Sequence, residues 1–525
     1  MAKTIPQLTD ATTVNAADEL IIQQGGITKR ATGAELAKGL NTINGTVNVK
    51  DFGAVGDGLA DDTAAIQAAI DSLGVSGGRV ELGNGKFLID STLTVKASVS
   101  LIGPHEFVGS PGNNSSAPYG NMGGAIIVNS AATISLQSGA TISGVLIYRK
   151  GMTFPAANSS AFAGTAITFS GDDCSVSSCQ IMGFEFAVFS NDRQRPRMSD
   201  LNIDCQNGIR VSLCYDIPKI INIHCWPFST IGNSGFPSAE WYQRQWRTGA
   251  GFSIRDTVDA PMMVNCFAYA YATGFHFKNV AMVSITNCIA DNSPISVVSR
   301  PSSIGFHFEG FINGCLAAGC TVYSHENGIK CQLASSFTQL SINNFFLADQ
   351  EFAAIVVDEG IVDVTDVSFL QSVNGLTRYG IYVTSASVDL RVDFCTFSQV
   401  SNPIHTTTAT DDILIGPSIM NMTNVTAMVS GTMRSRPIFA ASNLALPGYG
   451  SMYRVSGATN INTISNGWAG REVTLTFQDA ITVANGTGTI DSVRLNGAVN
   501  FAVTVNSSLT LKHNGVQWFE VGRCL

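Results

Sequence analysis

TGFHFKNVAMVSITNCIA at 273–290, followed by IGFHFEGFINGCLAAGCTV at 304–322, states the pattern on which most of the chain is built. Each copy opens on a small residue and an alternating apolar run, crosses a polar turn, and closes on a second run that carries cysteine. GTAITF at 164 leads to SSCQI at 177, and NGIRV at 207 leads to INIHCW at 221. GAGFSI at 249 leads to VNCF at 264, and YGIYV at 379 leads to DFCTF at 393. From leading glycine to cysteine the offsets along the chain are 15, 17, 15, 14, 15 and 15. NGIK at 327 and AAIVV at 353 read as two further copies, with Asn343 and Phe369 in the cysteine slot.

A unit of about 23 to 31 residues with one apolar face cannot bury that face alone, so its copies must stack. The apolar residues alternate, as strands require, and do not follow helical spacing. The expected fold is all-β: a parallel β-solenoid whose coils lie about 4.8 Å apart. Cys179, Cys225, Cys266, Cys288, Cys320 and Cys395 are expected to form one interior ladder, and Phe275 and Phe306 part of another. Thiols sharing one phase are read as small buried hydrophobes and not as disulfides. No CxxC pair occurs and the histidines do not cluster with the cysteines, so neither a metal nor another cofactor is expected.

Composition agrees with this. Charged residues make up 13% of 525, while glycine (51) and phenylalanine (29) are abundant, which suits a long buried core with many turns. A net charge of −9 without a basic tract argues against a nucleic-acid role. Neither an 18-residue apolar run nor a signal peptide is present, so membrane insertion and conventional export are not expected.

Four regions are expected: 1–45, 46–105, 106–411 with an insertion loop at 226–248, and 412–525. In the first, LTDATTVNAADELIIQQGGITKRATGAELAKGL reads as two short strands around Gly25-Gly26 and a helical piece from Thr32, too little for a core of its own. In the second, Asp62-Thr63 is expected to cap a helix from Thr63 to Leu73 that plugs the open end of the first coil. The last alternates in short runs ending SLTLKHNGVQWFEVGRCL.

KDFGAVGDG at 50–58, DDTAAIQAAID at 61–71 and GGRVELGNGKFLI at 77–89 resemble the opening of the pectate-lyase-like superfamily of right-handed β-helices, shared by many bacteriophage tailspikes. The resemblance implies a right-handed parallel β-helix and a spike that recognises and depolymerises a bacterial surface polysaccharide. It also implies a homotrimer carried on the virion tail, made in the host cytoplasm. The first segment resembles particle-anchoring pieces that dock on other tail or baseplate proteins, and the last resembles the small β-sandwich that ends such spikes. The acidic residues of the opening motif, Asp51, Asp57, Asp61 and Asp62, are read as turn and cap residues.

Chemistry is expected on the outer face of the coils. Counting from each leading glycine, the second and fourth following residues point outward. The second positions are Arg210, Ser253, His276, His307 and Lys330, and the fourth include Arg255, Lys278 and Glu309. A second set follows the cysteine strand: Asp291, His325, Glu326, Asp349 and Glu351. Adjacent coils would place these carboxylates within roughly 5 to 10 Å of one another, the range that glycoside hydrolysis needs for one acid and one nucleophile or base. Glu309, Glu326, Asp349, Asp291 and His307 are therefore the catalytic candidates. Arg255, His276 and Lys278 are expected to bind substrate, with Trp241, Tyr242 and Trp246 as sugar platforms and Arg244 and Arg247 as grips for an acidic glycan. The alternatives are a lyase acting by β-elimination through His276, His307 and Lys330, and a spike that only adheres.

Overall fold

The structure is a computed structural model. It describes residues 17–105, 124–152, 162–229, 246–292, 302–334, 338–371, 379–415, 419–421, 429–433, 438–446 and 452–524, apart from 18, 25–26, 34, 37–44, 386, 411 and 487. Glu19–Gln24 and Ile27–Thr32 form an antiparallel hairpin, as the sequence suggested. From Thr46–Asn48 onward the strands stack in parallel, coil upon coil, into a parallel β-helix.

Each regular coil presents three faces. The glycine face holds Asn207–Cys214, Arg247–Asp259, Tyr271–Ala281, Ile304–Asn313, Asn327–Leu333 and Tyr379–Val383. A second face includes Met262–Val264, Ser284–Thr286 and Gln339–Asn343. The third, called the aromatic face below, includes Phe267–Tyr269, Ile289–Asp291, Thr321–Tyr323 and Phe346–Ala348.

The glycine that announces each copy has a steric cause. A Cβ on Gly274 would lie 2.7 Å from the Gly305 carbonyl oxygen, and one on Gly305 would lie 2.5 Å from that of Gly328. Coil therefore rests on coil through a column of bare backbone. Inside, Phe252, Phe275 and Phe306 stack at centroid distances of 4.8 and 4.5 Å with nearly parallel planes. Directly opposed rings on neighbouring strands are the sheet's main packing unit.

None of the cysteines is in a disulfide, and all but Cys524 are buried. Their ladder differs from the expected one. Register places Ile223, not Cys225, in line with Cys266, because Ile221 pairs with Val264 and Cys225 pairs with Ala268. Phe345 and Val367 fill the slot assigned to Asn343 and Phe369. The odd offset of 17 already marked Cys225: the longer strand before it carries the cysteine one side-chain pair too far. Gly164 is likewise out of phase, since Ala166 occupies the glycine column.

What precedes that slot turns each coil. Asp200, Asn222, Asn265, Asn287, Asn344 and Asp366 all hold positive φ, between 51° and 56°. Asn and Asp tolerate this left-handed conformation better than other side chains. Their amides also bond along the axis: Asn265 Nδ2 donates to Asn222 Oδ1 at 3.1 Å, and Asn222 Nδ2 to Asp200 Oδ1 at 3.0 Å.

At the N-terminal end, helix α1 (Thr63–Ser72) buries Ile66, Ala69 and Ile70 against the first coil. The cap is not the expected one. Asp61 Oδ1 accepts from Thr63 N at 3.0 Å, whereas Asp62 accepts from Val55 N (2.5 Å) and Gly56 N (3.0 Å), tying down the glycine-rich turn. Asp57 accepts from Leu59 and Ala60 amides. These carboxylates are structural, as read from sequence. Coil pairing also runs past the boundary expected at 411: Val429–Met433 still pairs with Asn402–Thr410. A separate core then forms around Leu475, Leu509, Leu511 and Trp518 within a six-stranded sheet.

Candidate active site

Outward positions of the glycine face form a continuous column: Arg210, Ser253, His276, His307, Lys330, Val356, Tyr382 and His405 pair coil by coil. Beside it runs Arg255, Lys278, Glu309 and Gln332. Strand alternation put these residues outside, and adjacent coils bring them into contact. The imidazoles of His276 and His307 stack with centroids 4.8 Å apart and planes 9° from parallel. Glu309 sits beside them, its Oε2 3.0 Å from His276 Nε2 and its Oε1 2.5 Å from Lys278 Nζ. His307 Nε2 lies 2.8 Å from Gln332 Oε1. Below, Arg255 bonds Asp256 at 3.0 Å, and above, Lys330 faces Asp358 at 3.8 Å.

Electrostatics sort the roles. Burial, reinforced by the neighbouring His307, pulls the His276 pKa down to about 4, so the ring is neutral near pH 7. Burial lowers His307 as well. For Glu309 burial pulls the carboxyl pKa up, but the hydrogen bonds from Lys278 and His276 outweigh it and leave the group below the ordinary range. A carboxylate only accepts, so His276 Nε2 carries the proton and Nδ1 keeps its lone pair. Glu309 is thus an anion that orients a histidine. It lacks the raised pKa of the general acid that hydrolysis requires. His276, His307 and Glu309 also offer ligand atoms within 4.8 Å of one another, but the Lys278 ammonium already occupies the cation's place beside Glu309.

Residues 46–108, which hold the glycine-rich opening and α1, match the family model of rhamnogalacturonase A/epimerase, pectate-lyase-like. The chain thus opens on a pectate-lyase-like segment, and that segment leads into the parallel β-helix. Over 64 residues it is 50% identical to mannuronan C5-epimerase AlgE2 of Azotobacter vinelandii, a stretch covering 11% of this chain and 6% of that protein. The chain therefore spans only a small part of the curated relatives it matches. Among solved structures, the A-module of mannuronan C-5 epimerase AlgE6 from Azotobacter vinelandii is similar at 13% identity, covering 71% of this chain and 99% of that one, with a TM-score of 0.46. Geobacillus virus E2 ORF18 is similar at 12% identity over 96% of this chain and 82% of its own, with a TM-score of 0.29.

The remaining expected site residues fall elsewhere. Asp291 ends an aromatic-face strand beside Tyr269, Asp349 sits in a left-handed turn just past its own strand, and Glu326 lies further past its strand with its N–H on Ser303 Oγ. They occupy three consecutive coils but three different columns, because each stands at a different distance along the chain from the start of its in-register strand. Register does not align them as a catalytic pair. Trp241, Tyr242 and Arg244 lie outside the described residues. Trp246 is half-buried.

Arg247 is not a surface grip. Its side chain is 1% exposed and bonds Asp204, itself 0% exposed, at 2.5 Å. Asp204 Oδ2 also accepts from Ser229 N at 2.7 Å, and Arg247 donates to the Trp246 carbonyl at 3.3 Å. One buried ion pair therefore fastens both ends of the insertion. An aromatic cluster was also missed: His224, Trp226, Phe267 and Tyr269 on the aromatic face, with Trp226 and Tyr269 centroids 4.3 Å apart. Trp226 was visible as the first residue of the insertion, but its partners Phe267 and Tyr269 lie in the next copy.

Proposed function

We propose that this protein is a phage tailspike that binds an acidic bacterial surface polysaccharide and cleaves it by β-elimination along the glycine face. The observation that carries the chemistry is the stacked, neutral His276–His307 pair beside the Lys278–Glu309 ion pair. A uronate carboxylate laid against Lys278 and Arg255 has its charge neutralised, which acidifies the adjacent C5–H. His276 Nδ1 takes that proton, and Glu309 stabilises the imidazolium that forms. The C5–H electron pair becomes the C4=C5 double bond, and the C4–O4 bond breaks with its electrons on oxygen, which takes a proton from solvent. A coil step of about 4.8 Å is close to the length of one sugar residue, so a glycan chain can follow the stripe.

The spike reading rests on the resemblance of the opening motif and of both ends of the chain. It includes a homotrimer on the virion tail, docked on other tail proteins through the N-terminal hairpin. Incubation of the purified protein with isolated capsule or lipopolysaccharide tests it. Shortened chains that absorb in the near ultraviolet are expected. Shortening without absorption would mean hydrolysis, and tight binding with unchanged chain length would mean a spike that only adheres.

A further inference from the structure

A solvent-facing sheet normally carries scattered apolar residues, yet the aromatic face gathers several rings at one place. His224 lies with ring centroids 5.0 Å from Phe267 and 5.7 Å from Trp226, and Trp226 lies 5.8 Å from Phe267. Part of this cluster is ordinary packing: Phe228 is buried over Ala125, Leu146 and Met182. Trp226 and Phe267 remain half-exposed and, with Asn222, Ile223, His224 and Asn265, line an open groove of about 540 Å³. That is the size of a small-ligand site.

The lining has a definite chemistry. It contains ring faces and carboxamides, and none of the six residues is Lys, Arg, Asp or Glu. Burial lowers the His224 pKa, so this ring is neutral as well. The amides run in one direction, Asn265 onto Asn222 and Asn222 onto Asp200. Asn265 Oδ1, at the open end of that chain, has no partner among the described residues. A ligand that matches must lay C–H surface on the rings and offer hydroxyl donors to an amide oxygen, without charge.

We infer that the aromatic face carries a second glycan-binding site, which takes uncharged pyranose residues. It lies on the coils that bear Ser253 and His276, one face round from the histidine stripe. An acidic sugar suits the stripe, with its Arg255, Lys278 and Lys330, and a neutral sugar suits the groove. A heteropolysaccharide that contains both is held at two places on each chain. Two-point attachment of this kind raises retention without any new contact at the reacting bond.

The test uses the full chain on a printed array of bacterial polysaccharides together with cellohexaose, laminarihexaose and maltohexaose. Wild type, Trp226→Ala, Asn265→Gly and His276→Ala are compared. Asn265→Gly keeps the left-handed backbone and removes only the amide, so it guards against misfolding, and melting temperature is measured for each variant. The inference requires wild type to hold features that present neutral pyranoses. Trp226→Ala and Asn265→Gly should lose that binding at least tenfold while cleavage at saturating acidic polysaccharide is unchanged. His276→Ala should show the reverse. Equal binding by wild type and both groove variants would overturn it, as would a wild type that holds no neutral glycan. A change in sedimentation with Trp226→Ala but no change in glycan binding would instead make this face a contact between copies, and would also overturn it. Failure of His276→Ala to lose cleavage would speak against the stripe alone.

Discussion

At the scale of single residues, burial decides function. Arg247 and Asp204 show the cost of guessing exposure from composition. The arginine sits in an aromatic insertion rich in polar residues, and only its partner 43 positions away shows that it faces inward. Removing one member of a buried pair leaves an uncompensated charge, which costs about 3–5 kcal/mol. Arg247→Ala should destabilise the β-helix by that amount in urea unfolding, and the double replacement Arg247→Met with Asp204→Leu should cost clearly less. In the proposed reaction the glycine-face stripe gives the counterpart. Losing a positioned general base typically costs 10²–10⁴-fold, so His276→Ala should lower turnover within about that range. Glu309→Gln should also lower turnover while leaving glycan affinity intact, because an amide cannot stabilise the imidazolium as a carboxylate does. Full activity in both variants would remove this assignment.

At the scale of elements, the coil is defined by two columns with opposite demands. From Gly208 to Gly328 the glycine column leaves no room for a Cβ, and the left-handed column favours Asn, Asp or Gly. Ser178 and Phe394 are the exceptions in the second column, at φ 52° and 53°, and Phe394 is 64% exposed. A left-handed residue with an ordinary side chain costs about 1–2 kcal/mol. Phe394→Asn should therefore raise stability by about 1 kcal/mol in chemical denaturation, and Asn287→Ala should lower it by a similar amount. Indifference to both would mean that turn conformation contributes little to coil stacking. The repeat, its outward positions and the capping helix were all legible here, since period-two alternation and glycine spacing are local signals. The phase of Cys225 was not, because register is set by the length of the strand and turn before it.

At the scale of the whole molecule, the coordinates bear on the proposed reaction class. Sequence alone offered carboxylates on successive coils and so pointed to hydrolysis. Stacking places Asp291, Glu326 and Asp349 in separate columns and holds Glu309 as a paired anion, while the two histidines become neutral. The pH profile follows with a definite sign. A base whose pKa is depressed to about 4 stays unprotonated as pH falls through 6.5 and fails only near 4. The acid limb of the turnover profile should accordingly have its midpoint near pH 4, and a midpoint near 6.5 would show an unperturbed histidine to be the base. Stability has the same direction: the unfolded chain binds the proton that folded His276 refuses between about pH 6.5 and 4, so acidification across that window destabilises the fold.

Composition, alternation and a recurring glycine determined by themselves that this chain winds into stacked coils with thiols and phenyl rings inside, because those signals act between near neighbours and repeat. Which imidazole loses its charge, which arginine turns inward, and which rings from different copies share a groove were decided only by the folded coordinates. A pKa or a burial sums over groups from several coils, and no single stretch of chain contains that sum.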